Sequence, residues 1–187
     1  KDLTLLYAIL IGTVPAVIIG LLFEEIITTY LHFPLMIAAM LFISAFFFMY
    51  AEWRYYTKPP QGLLTIRNGF WVGCFQALAL LPGFSRSGST LAGGMLLGMS
   101  RGESARFSFL LAIPITLGVG SKMLLELITT KGSVNWLQIG LGATVSFFVA
   151  LVVIHYFLDF IRKYSLWPFI WYKIVLSLIV VYVAVYV

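Results

Sequence analysis

Leu81-Pro82-Gly83-Phe84-Ser85-Arg86-Ser87-Gly88-Ser89-Thr90 sets one arginine and four hydroxyl side chains between two apolar runs, Gly69 to Leu81 and Thr90 to Met99. Each run reaches about half of a hydrocarbon core roughly 30 Å thick at about 1.5 Å per helical residue. Two half-length helices joined by a Pro-Gly-Ser loop predict a re-entrant hairpin that enters and leaves on one face with its tip near the midplane. An ordinary extramembrane turn between two short spans is the competing reading. An arginine at the bilayer centre costs about 2.5–3.5 kcal/mol on insertion scales, so one kept there by default belongs to a site.

The rest of the chain supports a membrane setting. Of 187 residues 61% are hydrophobic and 10% charged, a balance that a water-soluble domain of this size has no surface to carry. The expected fold is an all-α integral membrane protein, a polytopic bundle built around the hairpin. The net charge of +5 does not indicate nucleic acid, because the basic residues stand singly among apolar spans and form no stripe. Cys74 is the one cysteine, so an intrachain disulfide and a cysteine metal cluster are both excluded. No secretory signal is visible behind Lys1-Asp2. A start without methionine leads to the expectation that the sequence is a fragment.

Five spans are predicted, at 5–23, 33–53, 107–127, 136–158 and 166–187, with the hairpin at 69–99, all in a single transmembrane domain. Pro15 and Pro114 fall inside spans, where they are expected to kink the helix unless neighbouring groups satisfy the freed carbonyls. With the hairpin re-entrant, Lys1, Arg54, Lys58, Arg67, Arg101, Arg106, Arg162 and Lys163 share one side. The other side has Glu24, Glu25, His32, Lys122, Glu126 and Lys131, which makes eight basic residues against two. The positive-inside rule then puts the basic side in the cytoplasm and opens the loop's cavity outward.

The loop has the parts of a phosphate site. Pro82 is placed to stop the first half-helix, and Gly83 and Gly88 permit backbone conformations and close ligand approach that other residues block. Ser89 or Thr90 is expected to cap the second half-helix, whose first amides and positive dipole end point at the loop. Arg86, with its two-pronged guanidinium, and the hydroxyls of Ser85, Ser87 and Thr90 then converge on a phosphate or diphosphate. In the alternative, the serines satisfy backbone groups at a helix break and Arg86 pairs with a carboxylate such as Glu52 or with carbonyls. Gln76 orients a ligand or a polar neighbour. Gly93, Gly94 and Gly98 are read as helix packing of the GxxxG kind. His32 and His155 are read as interfacial residues, and Lys173 as a snorkelling or bundle-paired lysine without an assigned function.

The run from Gly73 to Thr90, GCFQALALLPGFSRSGST, resembles the signature PG-x-SRSG-x-T of the undecaprenyl pyrophosphate phosphatases, bacterial enzymes associated with bacitracin resistance. GGMLLGMSR from Gly93 to Arg101 and FSFLLAIP from Phe107 to Pro114 extend the similarity, as does the order of spans. The resemblance implies a multi-pass enzyme of the bacterial inner membrane with two inverted repeats. It would hydrolyse undecaprenyl pyrophosphate to undecaprenyl phosphate, recycling the carrier for peptidoglycan synthesis, with a divalent cation, Mg or Ca. By matching position, Ser85, Arg86 and Thr90 are implied as catalytic residues, with Gly83, Ser87, Gly88, Ser89 and Gln76 in substrate binding. The family's other signature, a Glu-rich segment followed by Pro-x-Ser-Ser-x-Gly-His, has no match here. The expectation is therefore an N-terminally truncated member, inactive alone, with metal ligands outside this chain. Partners implied are the lipid diphosphate and membrane lipids, with a homo-oligomer left open. Rival readings are a lipid-phosphate transporter or flippase, a phosphatidic-acid-phosphatase-type enzyme using His155 and Asp159, and a structural subunit.

Overall fold

A computed structural model describes residues 2–129 and 134–186. Lys1, Lys131 and Val187, which the sequence reading used, lie outside the described residues, as does the Glu24 side chain. Seven α-helices follow in order: α1 Asp2–Tyr30, α2 Pro34–Thr57, α3 Ile66–Ala77, α4 Arg86–Leu96, α5 Arg101–Thr129, α6 Trp136–Lys163 and α7 Trp167–Tyr186. Among the described residues there is no strand. All the helices except α3 and α4 are long and apolar enough to cross a membrane. Both α1 and α5 run unbroken through Pro15 and Pro114.

The two short helices form a hairpin at the centre. α3 has 12 residues and α4 has 11, so each rises about 16–18 Å. The chain entering α3 is tied to the chain leaving α4, because the amides of Gln61 and Gly62 donate to the Gly98 carbonyl at 3.1 and 2.9 Å. Gly98 has φ +88 and ends the hairpin as a turn, so of the three glycines read as packing it has a different task. Gly93 and Gly94 do pack, against Phe75 and Ser104.

In lipid, apolar burial gives little drive, and close approach of helices through small residues takes its place. α1 crosses α3 in this way: a Cβ on Gly73 would lie 2.0 Å from the Gly12 carbonyl oxygen. α2 presents Ala38, Ser44, Ala45 and Ala51 as buried residues, and α7 packs along it. Phe48, Leu91, Met95, Ile161 and Ile170 fill the core between α2, α4, α6 and α7. Much of α6 stays exposed and apolar, as a lipid-facing helix would.

A buried ionic node sets the start of α7. Glu52, 1% exposed, receives Arg101 at 2.5 Å, and its other oxygen accepts the Leu166 amide. Glu52 is thereby committed to α5 and α7, and the sequence alternative in which it neutralises Arg86 is not the one formed.

Candidate functional site

The loop begins as a tight turn. Pro82 and Gly83 occupy its central positions, Gly83 has φ +93, and the Phe84 amide donates to the Leu81 carbonyl at 3.2 Å. That is the chemistry of a type II turn, in which the third residue must take positive φ. The first half-helix had already ended at Ala77, with a 3-10 turn at Leu78–Leu80, so Pro82 shapes the turn rather than stopping the helix.

α4 starts at Arg86, earlier than the sequence suggests. Its cap is Ser85, whose hydroxyl accepts the Gly88 amide at 3.4 Å. Ser89 and Thr90 do not cap, because they lie one turn inside and donate back to the carbonyls of Ser85 and Arg86, each at 2.9 Å. The Thr90 hydroxyl also lies 2.5 Å from Ser108 of α5, and Ser108 donates to the Ser87 carbonyl at 3.2 Å. Both Ser89 and Thr90 are buried. Their hydroxyls fix the first turn of α4 against α5.

Ser85 carries φ +70 and ψ +116, a conformation that costs a non-glycine residue about 1–3 kcal/mol and persists only when its surroundings enforce it. Lys173 of α7 enforces it. Its ammonium donates to Ser44 Oγ at 2.7 Å, the Gly83 carbonyl at 2.8 Å and the Phe84 carbonyl at 3.2 Å. Three donors meet three acceptors, two of them on the peptide units immediately before Ser85. The sequence reading left Lys173 without a role. The available signal was a lone lysine inside an apolar span, which by itself does not say which loop it reaches.

Two cavities flank the loop. One, of about 490 Å3, is lined by Ser85, Ser87 and Gly88 with Phe48, Tyr172 and Lys173. The other, of about 510 Å3, runs between α1 and α5 past Val17, Gly20, Pro114 and Gly118, and has Gln76 and Arg86 in its wall. The Nη1 of Arg86 and both polar side-chain atoms of Gln76 are buried there without a hydrogen-bond partner. Gln76 is 2% exposed. A buried polar atom left unpaired costs about 1–3 kcal/mol, and the wall of this apolar cavity holds three of them, the donors Arg86 Nη1 and Gln76 Nε2 and the acceptor Gln76 Oε1. The fold thus brings Arg86 and Gln76 together and turns Ser85, Ser87 and Gly88 toward the opposite cavity, while Thr90 and Ser89 stay behind both. Among the described residues no group of three or more His, Cys, Asp or Glu side chains could hold a metal ion.

The chain is a polytopic helical membrane protein whose hairpin tip sets an arginine with an unpaired donor in the wall of an apolar cavity. The family model described as bacitracin resistance protein BacA matches residues 1–179, and the chain belongs to that family. Relatives named undecaprenyl-diphosphatase include that of Nitrosococcus oceani, 38% identical over 178 residues, covering 95% of this chain and 67% of the relative. Those of Chromohalobacter salexigens and Colwellia psychrerythraea are each 38% identical, covering 92% and 94% of this chain and 65% and 66% of their own lengths. The chain spans about two-thirds of the length of these relatives.

Proposed function

We propose that this chain carries arginine-based recognition of the substrate in an undecaprenyl-diphosphatase site, acting in dephosphorylation of undecaprenyl diphosphate to undecaprenyl phosphate. The diphosphate sits against Arg86 and Gln76, and the polyprenyl chain lies in the apolar cavity between α1 and α5. The observation that carries this is the unpaired, buried Arg86 Nη1 beside the two unpaired polar atoms of Gln76 in that cavity. The names of the relatives supply the substrate.

The chain's own residues bind and stabilise. Arg86 donates to the equatorial oxygens as charge spreads over the transferring phosphoryl group, where a preorganised donor in a low-dielectric site has its largest effect. Gln76 offers an amide donor and an acceptor to the same head. The α4 N-terminus directs its positive dipole end at the loop. Ser85 binds and shapes rather than attacks, because a serine nucleophile needs an adjacent base; among the described residues the basic side chain that shares its cavity is Lys173, whose ammonium donates to Ser44, Gly83 and Phe84 and has no lone pair to offer. A divalent cation does not fit a ligand set among the described residues. Magnesium or calcium, if required, would serve as a charge-neutralising ion that accompanies the substrate.

The hairpin is re-entrant in the bacterial inner membrane with its cavity open to the outside, and the protein forms a homo-oligomer that crosslinking in membranes would report. The functional test is binding of undecaprenyl diphosphate, and phosphate release from it with and without magnesium or calcium. Arg86→Ala is expected to weaken binding at least tenfold, as loss of a charge-assisted pair worth about 1.5–3 kcal/mol requires. Unchanged binding by folded Arg86→Ala protein would overturn the assignment. Lipid flipping without any phosphate release would move the reading to transport.

A further inference from the structure

We propose that the basic end of the bundle holds a second anion site, a cavity between α2, α5 and α6 that takes the phosphodiester headgroup of an anionic phospholipid. The cavity measures about 300 Å3, and its wall includes Tyr55, Arg101, Gly102, Glu103, Arg106 and Arg162. It lies at the opposite end of α5 from the Lys122 that borders the cavity of Arg86 and Gln76.

Its charges do not cancel internally. Arg101 is paired with Glu52 at 2.5 Å and lies over the Tyr55 ring at 4.1 Å, yet its Nε remains a buried donor without a partner. Glu103 is occupied in capping α5, its Oε2 accepting the Ser100 amide at 3.2 Å and hydroxyl at 2.8 Å. Neighbouring Lys163 is paired with Asp159 at 3.6 Å. Arg106 and Arg162 make no ion pair among the described residues. Three arginines against Glu52 and Glu103 leave one net positive charge, augmented by the positive end of α5.

The site is also built sterically. A Cβ on Gly102 would lie 3.0 Å from Arg162 Cγ, so the glycine lets the α6 arginine cross the first turn of α5 and join Arg101 and Arg106. Lipid is the source that fits the surroundings. The cavity sits where α2 and α6 end and α5 begins, beside exposed Trp53 and Tyr56, aromatics of the kind that mark headgroup depth. Leu151 and Phe148, which share the helical face of Arg162 at spacings of 11 and 14 residues, are exposed and apolar and offer a track for acyl chains. Basic pockets between spans on the cytoplasmic side bind anionic headgroups by this combination of charge and depth.

The test does not depend on catalysis. The full chain is released from nanodiscs of equimolar phosphatidylglycerol and phosphatidylcholine, and retained lipid is counted by native mass spectrometry. The one net positive charge predicts a preference for phosphatidylglycerol of about fivefold. Arg106→Gln with Arg162→Gln should abolish it. Lys58→Gln with Arg67→Gln, which removes two charges outside the cavity, should leave it intact. Gly102→Ala keeps every charge but crowds the Arg162 stem, and should lower the preference severalfold, so the idea stays testable if the double arginine variant fails to fold. Equal loss in both double variants, or no preference in the native chain, would overturn the site. Thermal protection by inorganic phosphate equal to that by phosphatidylglycerol would overturn the lipid as its occupant.

Discussion

Lys173→Met keeps the reach of the side chain and removes the ammonium that holds the loop. The carbonyls of Gly83 and Phe84 then lose donors at 2.8 and 3.2 Å, and Ser44 Oγ loses one at 2.7 Å. Each buried acceptor left unsatisfied costs about 1–3 kcal/mol. Methionine recovers part of that, because it ends the cost of keeping an ammonium in the protein interior. The net loss to the formed loop is about 2–4 kcal/mol, which lowers its population relative to the released loop by about 30-fold to several hundredfold. Binding of undecaprenyl diphosphate should weaken by at least about tenfold, and Lys173→Arg, which keeps donors in place, should recover a large part. A second arm tests the link to Ser85. Glycine takes φ +70 without steric cost, so Ser85→Gly should restore more binding in the Lys173→Met background than it adds to the native chain. The double-mutant cycle should show a coupling of about 1 kcal/mol. A folded Lys173→Met protein with native affinity, or a coupling below about 0.5 kcal/mol, would refute the claim that the lysine positions the loop.

Arg86→Lys keeps a charge but loses the two-pronged donor, and Gln76→Leu removes both unpaired polar atoms. Each should weaken diphosphate binding, while Gln76→Leu should leave the melting midpoint unchanged or raise it, because the buried amide has no partner to lose. Gly73→Ala sets a methyl group 2.0 Å from the Gly12 carbonyl oxygen and should cost about 3 kcal/mol or more in thermal or denaturant unfolding. Gly118→Ala, with nothing within 4 Å, should be neutral or stabilising by up to about 1 kcal/mol. Glu52→Ala leaves Arg101 without its carboxylate and the Leu166 amide without its acceptor. It should lower stability by about 3 kcal/mol, and Arg101→Met added to it should restore a measurable part.

The membrane class and the half-length hairpin were legible because both rest on length and apolar content, which a helix converts directly into span. Helix ends were less so. The sequence favours Ser89 or Thr90 as the cap of α4, since both stand just ahead of an apolar run. The structure starts the helix at Arg86, because Ser85 accepts a positive φ and the later hydroxyls find acceptors one turn back. The GxxxG reading fell on Gly94 and Gly98, while the tightest approach is made by Gly73 against Gly12, a pairing between helices 61 residues apart that spacing within one helix does not reveal.

The two cations near the loop show most clearly where sequence reasoning stops. Arg86 and Lys173 are each a lone basic residue among apolar neighbours, and the same insertion cost makes each a candidate for a site. What separates them is how many of their donors the fold consumes. Lys173 spends three hydrogen bonds on Ser44, Gly83 and Phe84, so it holds the loop in shape and has little left for a ligand. Arg86 keeps Nη1 buried and unpaired in the wall of an apolar cavity, with Gln76 unpaired beside it. One cation is therefore structural support and the other is the recognition group, and the support comes from α7, at the far end of the chain. Perturbing Lys173 should thus change what Arg86 can bind without either residue touching the other's partners, and it is this separation of holding from binding that the Lys173 and Ser85 cycle measures.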